Sequence, residues 1–409
     1  MQGAESSIPA GWPGQLGIFV RSRLFLRFVT LIGGGRVVTP TGLIESGWVA
    51  ISDQLICETG VGDPDVALDI DLRGRTLVPG FVDQHCHGGG GHSFITDDPA
   101  EAFRAAAAHQ RFGTTSIIAS LVAASAASLK TQIATLIPLA DQSVIDGIHL
   151  EGPWISKLHC GAHDPAQLRN PTQAEVGELL AIGAGRIKMV TIAPELPGAI
   201  TAIRQIVRAG GIAAVGHTDA GYERTIEAIE AGATVATHLS NAMRPLHHRD
   251  PGAIGALMGD PRVTVELIAD GVHVHPVVLK LIVKEAGASR ISLITDAMAA
   301  AGGPDGRYLL GKREVAVVNG TARLLHSGKL AGSTLTMDRA LRYIVLHGAM
   351  PLPAAVTMLS TTPARTLGLR DRGAIEIGRR ADLVVLGPRL EVQAVMLRGD
   401  WISGAGALG

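Results

Sequence analysis

The chain has 409 residues, of which 46% are apolar and 18% charged, and its net charge is −1. That length suits one large barrel plus a minor domain, and the neutral balance excludes a broad basic face for nucleic acid or anionic membrane. Three cysteines (Cys57, Cys86, Cys160) make no disulfide framework in a chain this long and point to a reducing, cytoplasmic setting. No run of about 18 uninterrupted apolar residues predicts a membrane span.

Residues 1–30 read as a poorly ordered extension. Residues 17–33 are apolar, but Arg21, Arg23 and Arg27 interrupt them, which a signal peptide would not tolerate; an amphipathic surface helix is the alternative. Residues 31–78 read as short strands with turns, and residues 366–409 return to the same character, alternating and then running apolar. Both ends therefore predict one small β-sandwich domain, which brackets residues 79–365.

That middle segment alternates strand and helix, the pattern of a parallel sheet. Strands are predicted at 80–87 (GFVDQHCH), 114–120 (TTSIIAS), 146–153 (DGIHLEGP) and 187–195 (IKMVTIAPE), then at 212–218 (IAAVGHT), 234–239 (TVATHL), 264–269 (TVELIA) and 291–296 (ISLITD). Helices are predicted after Asp98-Pro99, which supply an N-cap and a first-turn proline, and at 197–209, 221–231 and 276–285. Eight strands predict a (β/α)8 TIM barrel, α/β in class, whose C-terminal strand ends share the rim used for chemistry.

Four of these strand-like runs carry a metal-capable residue at or near their ends: His85 and His87, Glu151, His217 and His238. The last stops on Asp296. Side chains alternate along a strand, so His85 and His87 share the inward face while Cys86 points at the surrounding helices. Imidazole nitrogen and carboxylate oxygen suit a divalent ion, zinc first, with iron, cobalt and manganese as alternatives; the set could hold one or two ions, bridged by Glu151. Asp296 reads either as a metal ligand or structural carboxylate, or as a general acid/base that takes a proton from the attacking water and gives it to the leaving amine. His149 and Asp83 point inward one layer deeper as supporting polar groups. His92, His109, His326 and His347 read as surface or helix-face residues, and Cys160 as a small loop residue.

The motifs PGFVDQHCHG, HLEGPW, GAHDP, GHTDA, THLSNAM, ADGVHV, TDAM and LAGSTLTM resemble the amidohydrolase superfamily and, within it, the N-acetylglucosamine-6-phosphate deacetylases. The resemblance covers nearly everything after residue 31. It implies hydrolysis of the acetamide on a phosphorylated amino sugar by a homodimer. It also implies that Glu151, His217 and His238 hold the essential metal, with Asp296 as acid/base and His163 polarising the acetyl carbonyl. Ala162, Asn241, Ala242, Asp270, His273, Leu330, Ala331 and Gly332 match substrate-binding stretches. Arg249 matches a phosphate-binding arginine that reaches across from the neighbouring subunit. Arg244 departs from the proline usual after NAM. A cyclic amidase of the same superfamily is the competing reading, and a barrel whose site has decayed is a third. Many cyclic amidases carry a bridging lysine at the end of the fourth strand; here that end reads TIAPE.

Overall fold

The computed structural model describes residues 29–407, so the extension predicted at 1–30 lies almost wholly outside the described residues. The eight barrel strands are β1 (Phe81–Cys86), β2 (Thr114–Val122), β3 (Gly147–Glu151), β4 (Ile187–Ile192), β5 (Ile212–Val215), β6 (Ala233–Ala236), β7 (Thr264–Ile268) and β8 (Ile291–Ile294). They pair in sequence order and in parallel, from β1 to β8. The barrel closes just beyond β8, where the Asp296 amide donates to the His85 carbonyl at 2.9 Å and the His87 amide to the Ala297 carbonyl at 2.8 Å. Closure thus falls on residues predicted to do chemistry.

Helices cover the outside: α1 (Pro99–Gln110), α2 (Ala126–Asp141), α3 (Gln173–Gly183), α4 (Ala199–Arg208), α5 (Tyr222–Glu230), α6 (Gly252–Gly259), α7 (Pro276–Ala286) and α8 (Met337–Leu346). The Asp98 side chain caps α1 by accepting from the Ala100 amide, with Pro99 in the first turn. No helix among the described residues is long and apolar enough to cross a membrane.

Both chain ends meet in one mixed sheet. Thr76–Pro79 lies between Thr30–Thr39, its parallel neighbour, and Leu383–Leu386, its antiparallel one. Alternation sorts its faces: Leu77, Leu383 and Val385 fill a separate small core, while Val78, Val384 and Leu386 join the barrel's. A three-stranded antiparallel ribbon, Gly306–Leu310, Arg313–Val318 and Thr321–Leu324, follows β8. It buries Leu310, Val315, Val317 and Leu324 together with Met298 and Ala331.

Candidate active site

The strands end slightly earlier than their apolar runs suggest. His85 is inside β1 and Glu151 ends β3, but His87, His217, His238 and Asp296 lie one or two residues past a strand end. There the backbone turns left-handed, with φ of 48° at His217, 29° at His238 and 46° at Asp296. Non-glycine residues rarely adopt this region, and such strain gathers at functional sites. The turn aims all three side chains back over the barrel mouth.

Five imidazoles converge on Glu151. Its Oε1 lies 3.0 Å from His217 Nε2, 2.9 Å from His238 Nε2 and 3.5 Å from His85 Nε2; its Oε2 lies 3.2 Å from both His87 Nε2 and His163 Nε2. Asp296 Oδ1 is 3.3 Å from His87 Nε2. Three of the ligand-type histidines commit their other nitrogen to donation. His85 Nδ1 donates to Glu266 Oε2 at 3.1 Å, His87 Nδ1 to the Ser120 carbonyl at 3.1 Å, and His217 Nδ1 to the His159 carbonyl at 2.8 Å. In the neutral rings the Nε2 lone pairs of His85 and His87 then face one another at 3.2 Å, and that of His217 faces His238 Nε2 at 3.1 Å. Facing lone pairs repel unless a cation stands between them, and imidazole fixed by a partner behind it is the usual arrangement of a metal ligand. Two groups fit a divalent ion, His85–His87–Glu151 and Glu151–His217–His238, sharing the glutamate.

The charges agree. Burial alone would raise the Glu151 carboxyl, yet the charge of His85 and the hydrogen bonds from His163 and His217 hold it well below the usual range. Burial works against the charged His87 ring, but Asp296 and Glu151 push it up to about 9. Asp296 is held down at about 2 by His85 and His87, against burial. A site that draws positive charge this strongly suits a cation.

His163 behaves differently. Burial, outweighing the pull of Glu151, lowers it to about 4, so it is neutral near pH 7. The Ala123 amide donates to its Nδ1 at 3.2 Å, which fixes the proton on Nε2. His163 therefore presents an N–H donor.

A cavity of about 370 Å³ opens over this cluster, a size suited to a small molecule. Of the predicted substrate residues, Ala162, His163, Asn241, Ala242, His273, Leu330 and Gly332 line it. Three do not. Ala331 is fully buried in the ribbon core. Asp270 stands behind His273, accepting from its Nδ1 at 2.7 Å, so it orients that ring rather than reaching the cavity. Arg249 lies in the exposed 244–250 loop, where its Nη1 donates to His248 Nε2 at 2.8 Å. His149 and Asp83 are supporting groups: His149 bonds Ser120 and Thr191, and Asp83 bonds Thr295. Cys86 points outward as expected, but onto His109, which is 1% exposed and no surface residue; its Nε2 contacts Cys86 Sγ at 3.3 Å and donates to the Gly88 carbonyl at 2.9 Å. Cys160 packs against Ala123, Ile155 and Leu168. Arg244 grips Asp219 with two bonds of 3.1 and 3.0 Å, and Asp219 also accepts from His159 at 3.0 Å, which ties down the loop leading to His163. Reading the sequence missed Glu266, whose signal was a lone charge inside the apolar run TVELIA.

The amidohydrolase family model matches residues 76–402. The chain belongs to the amidohydrolase family. Its relatives at 30% identity or more include amino-sugar-phosphate deacetylases. N-acetylgalactosamine-6-phosphate deacetylase of Escherichia coli O157:H7 is 36% identical over 374 residues, 90% of this chain and 98% of that protein. N-acetylglucosamine-6-phosphate deacetylase of Vibrio furnissii is 36% identical over 81% of this chain and 84% of its own. A mutant of the Mycobacterium smegmatis N-acetyl-D-glucosamine-6-phosphate deacetylase, solved with N-acetyl-D-glucosamine-6-phosphate, superposes with a TM-score of 0.90 at 47% identity, covering 91% of this chain and 99% of that one.

Proposed function

We propose that this amidohydrolase cleaves the acetamide of N-acetylglucosamine 6-phosphate to glucosamine 6-phosphate and acetate. The observation that carries the reading is the geometry of one cavity, which Asp296 and a His163 whose proton is fixed on Nε2 line together with the Glu151–His217–His238 group. Glu151, His217 and His238 would hold one divalent ion, and His85 and His87 with Glu151 a second, zinc first among the candidates. Bound there, such an ion acidifies water to a pKa of about 7 and polarises a carbonyl. Asp296 takes the proton of the attacking water as the new C–O bond forms, then delivers it to the nitrogen as the C–N bond breaks. The His163 Nε2–H, 3.2 Å from Glu151 Oε2, would donate to the acyl oxygen as it gathers negative charge, which stabilises the transition state more than the ground state. His273, braced by Asp270, meets a sugar hydroxyl.

Asn241 and Ala242 supply the cavity's end of the phosphate site. Arg249 is exposed, pairs with no carboxylate among the described residues and does not line its own cavity, which leaves its guanidinium free for the phosphate held by a second copy of the chain. This supports a homodimer with shared sites, and a planar guanidinium suits a phosphate dianion. The free cysteines agree with a cytoplasmic enzyme. A cyclic amidase is disfavoured, since the one lysine of β4, Lys188, packs by Gly147 at the opposite end of its strand.

The galactosamine relative favours testing the C4 epimer alongside. Acetate release from both N-acetylhexosamine 6-phosphates, and from the unphosphorylated sugars, tests the proposal. Fast release from the phosphorylated gluco substrate is expected, and no release from either phosphorylated sugar would overturn it.

A further inference from the structure

Resting on the metal reading of this site, we propose that Glu266 is a positioning residue that sets how tightly the inner half of the cluster, His85 with His87 and Glu151, holds its own divalent ion. Glu266 sits in the middle of β7 between the core residues Val265 and Leu267, is fully buried, and does not line the cavity. Its carboxylate is fully engaged. Oε2 accepts from His85 Nδ1 at 3.1 Å and from the His238 amide at 3.3 Å, and Oε1 accepts from Gln84 Nε2 at 2.8 Å.

The four ligand imidazoles are not backed alike. His87 and His217 lean on neutral carbonyls, and His238 Nδ1 has no partner. Only His85 leans on a carboxylate. A charged acceptor behind an imidazole raises the basicity of its outward nitrogen and strengthens its bond to a cation. The effect falls on one half of the cluster, because Glu266 touches the ring of His85 but only the backbone of His238. Charge balance points the same way. Glu151, Asp296 and Glu266 place three buried carboxylates together with no lysine or arginine paired to them among the described residues. One dication leaves one negative charge uncompensated in a medium where that is costly; two leave one positive charge, which the hydroxide of ionised water would balance.

The test is E266Q in the full chain, stripped with a chelator and titrated with Zn²⁺ against a chromophoric chelator, with bound zinc counted by elemental analysis. The substitution is sterically silent. Gln84 Oε1 is buried without a partner, so that amide can turn over and accept from the introduced one. Wild type should hold two ions. E266Q should weaken one class about 10- to 100-fold and spare the other, and H87N should abolish that same class. E266D, which withdraws the charge by one methylene, should weaken it less and carries the test if E266Q does not fold. Equal effects on both classes, or none, overturn the proposal. A wild-type protein holding one ion and still releasing acetate sinks this inference alone, while one holding no ion sinks the proposed function with it.

Discussion

Asp296 and a His163 whose proton is fixed on Nε2 line one cavity, and a substitution at Asp296 isolates its role. D296N keeps size and shape but cannot take the proton, so turnover should fall by about 10²- to 10⁴-fold while metal content stays near wild type; elemental analysis beside an acetate assay checks both. The Asp270–His273 pair gives a pH signature. Burial opposes its charges, yet the bond between the two residues raises His273 above its ordinary 6.5 and lowers Asp270 below 3.8. The aspartate's contribution to stability is present above pH 3.8 and lost as pH falls through its depressed value. The histidine's is full below 6.5 and lost as pH rises through its raised value. D270N should therefore be most destabilised relative to wild type between these limits, by about 3 kcal/mol, and the gap should close at alkaline pH. Denaturant melts over a pH series measure it, and a gap that widened with pH would contradict the assignment.

At the scale of elements, the chemistry depends on strand ends brought close together. Gly216, at the end of β5, leaves no room for a methyl group: a Cβ there would meet Thr237 Cβ at 2.6 Å and Thr191 Cγ2 at 3.0 Å. G216A should cost about 1–3 kcal/mol by overpacking and lower turnover as well, because the neighbouring His217 and His238 would move apart; thermal melts with a parallel assay check both. All eight barrel strands were legible in the sequence, most because they bury both faces and read as compact apolar runs, and β1 (FVDQHC) because its two histidines alternate with Cys86. Their exact ends were not, since no residue type announces that His217 or His238 will turn left-handed. The ribbon after β8 and helices such as α2 and α3 lay between the motifs and escaped notice. His109 does lie on a helix face, that of α1, but its burial was not legible because it arises from a distant approach: Gly89 passes so close that a Cβ there would lie 2.5 Å from the His109 ring. Glu266 was hidden for a related reason, since its partners His85 and Gln84 sit some 180 residues away.

The whole molecule joins a closed barrel to a sheet made from both chain ends, whose faces divide between its own core and the barrel's. The rim carries every proposed catalytic group but not Arg249, which the resemblance, not the pattern of the chain, assigned to phosphate. If that arginine serves a neighbouring copy, R249A should raise KM for the phosphorylated sugar about 10- to 100-fold and leave the unphosphorylated sugar nearly unchanged. Mixing R249A with D296N subunits should then restore about one quarter of wild-type activity, because each mixed dimer regains one intact site. Activity that stays at the level of the separate variants would place Arg249 outside the site.

Metal dependence joined to acid/base catalysis is most directly tested by counting bound ions and released acetate in the same samples. Chelated wild type should fall silent on N-acetylglucosamine 6-phosphate and recover with Zn²⁺, while D296N should rebind the ion and remain silent. Full turnover without metal, or a D296N protein that cannot hold the ion, would contradict the account.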